Sequence, residues 1–173
     1  MSKKNIKILA IDDKTENIFL LKELIVDSFR GTVFISALNG SQGIKLCKSQ
    51  KPDVVLLDIT MPDMNGFEVC KIMKADEEIR HIPVIMITAA LVDSEMRVQA
   101  LDSGADAFLS KPIDISEFKA QIRAMLRIKE SEDHKRLEHH LLESEVKKRT
   151  RALNKELAER RQAELKLKAA YNN

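Results

Sequence analysis

The chain has 173 residues, enough for one domain of ordinary size with a smaller appendage. Hydrophobic residues make up 44% and charged residues 32%, and 29 basic against 27 acidic side chains leave a net charge of +2. That near-balance excludes an electrostatic case for nucleic acid or an anionic membrane as the main partner, and no apolar run reaches the length of about 18 residues that a membrane span needs.

The N-terminal MSKKNIKILAI has no apolar stretch of signal-peptide length, so a cytoplasmic location is expected. IKILAI (6–11) reads as a strand and runs directly into Asp12 and Asp13. Ile18, Leu21, Ile25 and Phe29 then recur at helical spacing over 15–29. TVFIS (32–36) is a second strand, followed by a helix over 41–50. DVVLLD (53–58) is nearly pure apolar sequence that carries a carboxylate, Asp58, out at its end. Pro62 and Gly66 shape the loop behind it, and Asn65 with Glu68 forms the pattern of a capping box opening a helix over 66–76. PVIMIT (83–88) ends on Thr88, a weaker helical pattern covers 94–103, and DAFLS (106–110) leads into Lys111-Pro112. Asp114 and Glu117 resemble a second capping box, which opens a helix from 115 to about 170. Cys47 and Cys70 lie in helical sequence with no ligand spacing and read as buried, reduced thiols.

Strands that are apolar without alternation belong in a parallel sheet covered on both faces. Five such strands, with helices between them, predict an α/β fold with an open, doubly wound five-stranded parallel sheet. All five Gly and all four Pro fall at or before Pro112. The domain is therefore expected over 1–127, with a separate helical segment over 128–173. Ile115, Phe118, Ile122 and Met125 should cover one face of the sheet. Beyond them Leu137, Leu141, Leu142, Val146, Leu153, Leu157, Leu165 and Leu167 form a narrow stripe with imperfect heptads. Acid-before-base pairs such as Glu145–Arg149 and Glu156–Arg160 each add only about 0.2–0.5 kcal/mol. A helix this long needs a partner, and a parallel two-stranded coiled coil, hence a homodimer, is expected.

Ligands of open α/β sheets sit outside the carboxyl ends of the strands. Asp12, Asp13, Asp58, Thr88 and Lys111 all occupy such ends and should meet at one edge. Three carboxylates in one place repel unless a cation binds, and an all-oxygen set favours a hard divalent ion such as Mg²⁺. A lysine and a hydroxyl beside it suit a phosphoryl group.

IDD at 11–13, LLDITMPDMNG at 56–66, PVIMITA at 83–89 and LSKPI at 109–113 resemble the receiver domain of two-component response regulators. The resemblance covers residues 5 to about 127 and implies a flavodoxin-like sheet of strand order 2-1-3-4-5. It implies that Asp58 accepts a phosphoryl group from a phosphohistidine on a histidine kinase or phosphotransfer protein. Asp13, Asp58 and the Thr60 backbone carbonyl would bind Mg²⁺, with Asp12 acting mainly through water. Lys111 and Thr88 would grip the phosphoryl oxygens, and Phe108 would be the switch aromatic, lacking the hydroxyl of the commoner Tyr. Thr60 and Ala90 fall where hydrolysis is tuned. The segment ESEVKKRTRALNKELAERRQAELKLKAAY is similar to signalling helices that join sensory modules to kinase or cyclase domains, so the chain is expected to be the front part of a longer protein.

Two other readings are open. An Asp-nucleophile phosphohydrolase of the haloacid-dehalogenase type would carry Asp-x-Asp, where this chain reads Asp58-Ile59-Thr60. A constitutive coiled-coil scaffold would have no use for the Asp12, Asp13, Asp58, Thr88 and Lys111 set. His134, His139 and His140 lie outside any kinase H-box context and are expected to be surface residues.

Overall fold

Each apolar run becomes a strand that starts one residue later than the run itself. The computed structural model describes residues 5–88, 98–99 and 102–171. The strands are β1 (Lys7–Ile11), β2 (Val33–Ala37), β3 (Val54–Asp58), β4 (Val84–Thr88) and β5 (Ala107–Ser110). The helices are α1 (Thr15–Ser28), α2 (Gly40–Gln50), α3 (Gly66–Ala75) and α4 (Ile115–Tyr171). The expected helix over 94–103 lies mostly outside the described residues, of which Val98, Gln99 and Asp102 are helical. All strand pairs are parallel, in the order β2-β1-β3-β4-β5, as the resemblance implied.

The period of two along each strand divides the core into two layers. Leu9, Ile11, Val55, Leu57, Val84 and Met86 face one side, where they pack with Cys47, Val69, Cys70 and Met73 of α2 and α3. Ile8, Ala10, Val54, Leu56, Ile85 and Ile87 face the other, with Leu21 and Ile25 of α1 and Phe118, Ile122 and Met125 of α4. β3 and β4 are buried along their whole length, which is why they carry no polar alternation. β2, at the edge with one neighbour, is half-exposed instead. Each fully buried large side chain, such as Phe118 or Ile122, stabilises the fold by about 1.5–3 kcal/mol.

One expected core residue is not in the core. Ile115 is 52% exposed. It is the first residue of α4, and the helix reaches the sheet only one turn later, at Phe118. The Asp114 side chain accepts from the Glu117 N–H at 2.8 Å and so caps that first turn. Cys47 and Cys70 are buried and unbridged. Burial pushes the Cys47 thiol up to about 12 and raises that of Cys70 against a Ser103 hydrogen bond, so neither is a thiolate at neutral pH.

The chain divides into two compact units, Met1–Ser131 and Glu132–Asn173. The second is helical, and its stripe of Leu137, Leu141, Leu142, Val146, Leu153, Leu157 and Leu165 ranges from 47% to 68% exposed. Arg149 bridges Glu145 at 2.7 Å and Arg160 bridges Glu156 at 3.3 Å, both one turn apart. His134, His139 and His140 are exposed; the first two face Glu138 and Glu143. No helix among the described residues is long and apolar enough to cross a membrane.

Candidate functional site

Parallel strands deliver their carboxyl ends to one edge, and five of the residues singled out in the sequence arrive there together. β1 ends at Ile11, so Asp12 and Asp13 lead the turn into α1. Asp58 is the last residue of β3, Thr88 the last of β4, and Lys111 follows β5. The register holds them level: Asp58 stands opposite Ile87, Thr88 opposite Ser110, and the Lys111 N–H donates to the Thr88 carbonyl at 2.7 Å.

Carboxylate oxygens of Asp12, Asp13 and Asp58 lie within 4.8 Å of one another. The Lys111 ammonium reaches between two of them, donating to Asp58 Oδ1 at 2.7 Å and to Asp12 Oδ2 at 3.2 Å. Asp58 Oδ2 accepts from the Thr60 N–H at 2.9 Å. Asp12 is almost wholly buried, and its Oδ1 accepts from the Lys14 N–H at 2.9 Å. Asp13 Oδ1 is buried without a hydrogen-bond partner. An acceptor in that position is costly unless something positive meets it. Three oxygens this close, one of them unsatisfied, fit the donor set of a hard divalent cation, and Asp12, Asp13 and Asp58 could hold one.

Burial raises the Asp58 carboxyl above its ordinary value of 3.8. The Lys111 hydrogen bond opposes that rise, while the Asp12 charge adds to it. For Lys111, burial alone would lower the ammonium. Its hydrogen bond to Asp58 and the charges of Asp58 and Asp12 outweigh that, and the net shift is upward. The pair is therefore an ammonium facing a buried carboxylate that is strained by its surroundings.

The loop behind Asp58 is built for close approach. A Cβ on Gly66 would lie 2.8 Å from the Ile59 Cα and closer still to the Asp58 carbonyl oxygen. The Gly66 N–H donates to the Ile59 carbonyl at 2.9 Å. Asn65 and Glu68 form both halves of the expected capping box, at 3.0 Å each. Together they dock the start of α3 against the end of β3.

Thr88 is buried. Phe108 pairs with Met86 in the β4–β5 register and packs, partly buried, against the α2–α3 core layer. Thr60 is exposed, and Ala90 lies outside the described residues. One participant went unread in the sequence: the Asn17 side chain donates to both Asp12 oxygens, at 3.0 and 2.9 Å. The available signal was an amide five positions after Asp12, on the first turn of the next helix.

Comparison with known proteins agrees with this geometry. Residues 8–123 match the response regulator receiver domain family. The chain is similar to the response regulator PleD of Caulobacter vibrioides, 39% identical over 123 residues, which span 71% of this chain and 26% of that protein's length. It is also similar to the polar-differentiation response regulator DivK of Brucella anthropi, 37% identical over 120 residues, spanning 69% of this chain and 94% of DivK. Among solved structures, the signal receiver domain of a DNA-binding response regulator from Colwellia psychrerythraea 34H superposes with a TM-score of 0.66 at 28% identity, covering 71% of this chain and 99% of that one. The chain belongs to the response regulator receiver domain family.

Proposed function

We propose that this chain is a phosphorylation-switched receiver in which Asp58 accepts a phosphoryl group from a phosphohistidine of a histidine kinase or phosphotransfer protein. The observation that carries the reading is the buried Asp58 carboxylate, gripped by Lys111 and the Thr60 N–H beside two further carboxylates. An Asp58 oxygen attacks phosphorus, the P–N bond breaks, and the histidine leaves with its electron pair. Asp13, Asp58 and the Thr60 backbone carbonyl would hold Mg²⁺, with Asp12 acting mainly through water. The ion, when bound, supplies positive charge against the transferring oxygens. Lys111 and Thr88 take the phosphoryl oxygens, and Phe108 responds to the movement of Thr88. The chain acts as a signalling receiver with self-catalysed transfer and slow self-dephosphorylation. Residues 1–127 form the receiver and 128–173 the output helix.

A metal titration tests the site. Wild-type protein should melt at a higher temperature as Mg²⁺ is added, and Asp13→Ala should need at least about tenfold more Mg²⁺ for the same rise. The variant should also melt higher than wild type without metal, because one repelling charge is gone. A wild type whose melting ignores Mg²⁺ refutes the site.

The exposed stripe of the second unit supports pairing with a second copy as a coiled coil. Phosphorylation is expected to change that pairing, since imperfect heptads permit two packings close in energy. Spin labels at Glu143 or Glu159 should then report different inter-chain distances with and without a phosphoryl mimic. Equal distances, or a monomer at high micromolar concentration, exclude this mode of output.

A further inference from the structure

Asp12 is the best-held carboxylate of the cluster, and the reason is Asn17. Asn17 is the third residue of α1, where a polar side chain ordinarily serves the unpaired N–H groups of its own helix. Here it turns the other way. Its amide nitrogen donates to Asp12 Oδ1 at 3.0 Å and to Asp12 Oδ2 at 2.9 Å. The turn from β1 into α1 is already closed without it, because the Lys14 N–H donates to Asp12 Oδ1 at 2.9 Å. What the bifurcated contact adds is rotational: a donor shared by both oxygens fixes the plane of the carboxylate.

The chemistry of the donor matters as much as its position. Lys111 already brings one cationic donor to Asp12 Oδ2 at 3.2 Å. A second cation would cancel the charge that a metal needs, and a carboxylate at position 17 would repel Asp12. A neutral amide orients the carboxylate and leaves its charge intact. Groups that hydrogen-bond to metal-directed carboxylates in this way commonly change metal affinity by 10- to 100-fold when removed.

We infer that Asn17 is a positioning residue of the acidic site, holding the Asp12 carboxylate in a fixed orientation toward the cation without neutralising it. The inference rests on the Mg²⁺ reading above. It predicts that Asn17 acts only through Asp12.

The test compares wild type, Asn17→Ala, Asp12→Asn and the double variant, reading Mg²⁺ binding by calorimetry and by the metal-dependent rise in melting temperature. Asn17→Ala should weaken Mg²⁺ binding about tenfold. Asn17→Leu, close in volume and unable to donate, should do the same, and carries the test if the alanine variant folds poorly. In the Asp12→Asn background the second substitution should change binding less than about twofold, the non-additivity expected of residues that act as one unit. Wild-type affinity in both Asn17 variants, or independent losses that multiply in the double variant, overturns the inference while leaving the Mg²⁺ site standing. A wild type that binds no Mg²⁺ overturns both.

Discussion

Asp58→Asn is expected to gain no phosphoryl group from acetyl phosphate and Mg²⁺, and yet to melt at a higher temperature than the wild type when metal is absent. The first outcome follows from chemistry: an amide oxygen is no comparable nucleophile, and Asp58 is the carboxylate that Lys111 and the Thr60 N–H address together. Intact-mass measurement reads it directly, one added phosphoryl group for the wild type against none for the variant. Equal labelling would move the reactive group elsewhere. The second outcome follows from linkage. The folded protein holds the Asp58 carboxyl above 3.8, because burial and the Asp12 charge together outweigh Lys111. The folded state therefore binds that proton more tightly than the unfolded chain does. Ionised Asp58 penalises folding; the penalty is full above the folded value and is gone below about pH 3.8. Asparagine, close in shape and uncharged, avoids it. The melting-temperature gap between variant and wild type should be widest near about pH 7 and should narrow as the pH falls toward about 4. Each kilocalorie relieved corresponds to about 4 °C in a domain of this size. A variant that melts lower than the wild type at neutral pH would mean that the Lys111 ion pair dominates after all.

Gly66→Ala should damage fold and site together. The added methyl would meet the Asp58 carbonyl oxygen and the Ile59 Cα, both of them backbone, so no side chain can swing aside to make room. The start of α3 must retreat from the end of β3. That retreat stretches the 2.9 Å bond from the Gly66 N–H to the Ile59 carbonyl and disturbs the Asn65–Glu68 box that seats the helix. Overpacking of this kind costs about 1–3 kcal/mol. Chemical denaturation should show the midpoint moving down with the slope unchanged. Phosphoryl uptake at Asp58 should slow as well, because the added methyl presses on the peptide that carries the Asp58 carbonyl. Wild-type stability would show that the loop has slack which the packing does not suggest.

Much of this architecture was legible because the relevant signals are local. Pure apolar runs such as VVLLD and VIMIT announce buried parallel strands, and Asn65 followed by Glu68 announces a helix start. The meeting of Asp12, Asp13, Asp58, Thr88 and Lys111 at one edge followed from topology alone, since parallel strands send all their ends the same way. Features that depend on geometry between elements were not legible. Ile115 fits the apolar spacing of its helix, but the helix has not yet reached the sheet at that point. β2 has a strand's composition whether it lies at the centre or the edge, and only its pairing partners decide its exposure. Asn17 reads as an ordinary polar residue near a helix start until the β1–α1 turn is folded and its amide is found on Asp12.

Among the described residues, the one ammonium set between these three acids carries an arithmetic of its own. Asp12, Asp13 and Asp58 against Lys111 leave a formal surplus of two negative charges, which is the charge of one divalent ion. Electroneutrality is thereby a selector: a monovalent guest leaves the pocket anionic, and a trivalent one overshoots. The proposed phosphoryl transfer would unsettle the balance, because a carboxylate of one charge would become an acyl phosphate carrying about two. That state would hold about one negative charge more than the ion and Lys111 offset, beside the buried Asp12 and Asp58. A site in that condition would draw polar hydrogens inward, and the strand next to Asp58 is β4, which ends on the buried, hydroxyl-bearing Thr88.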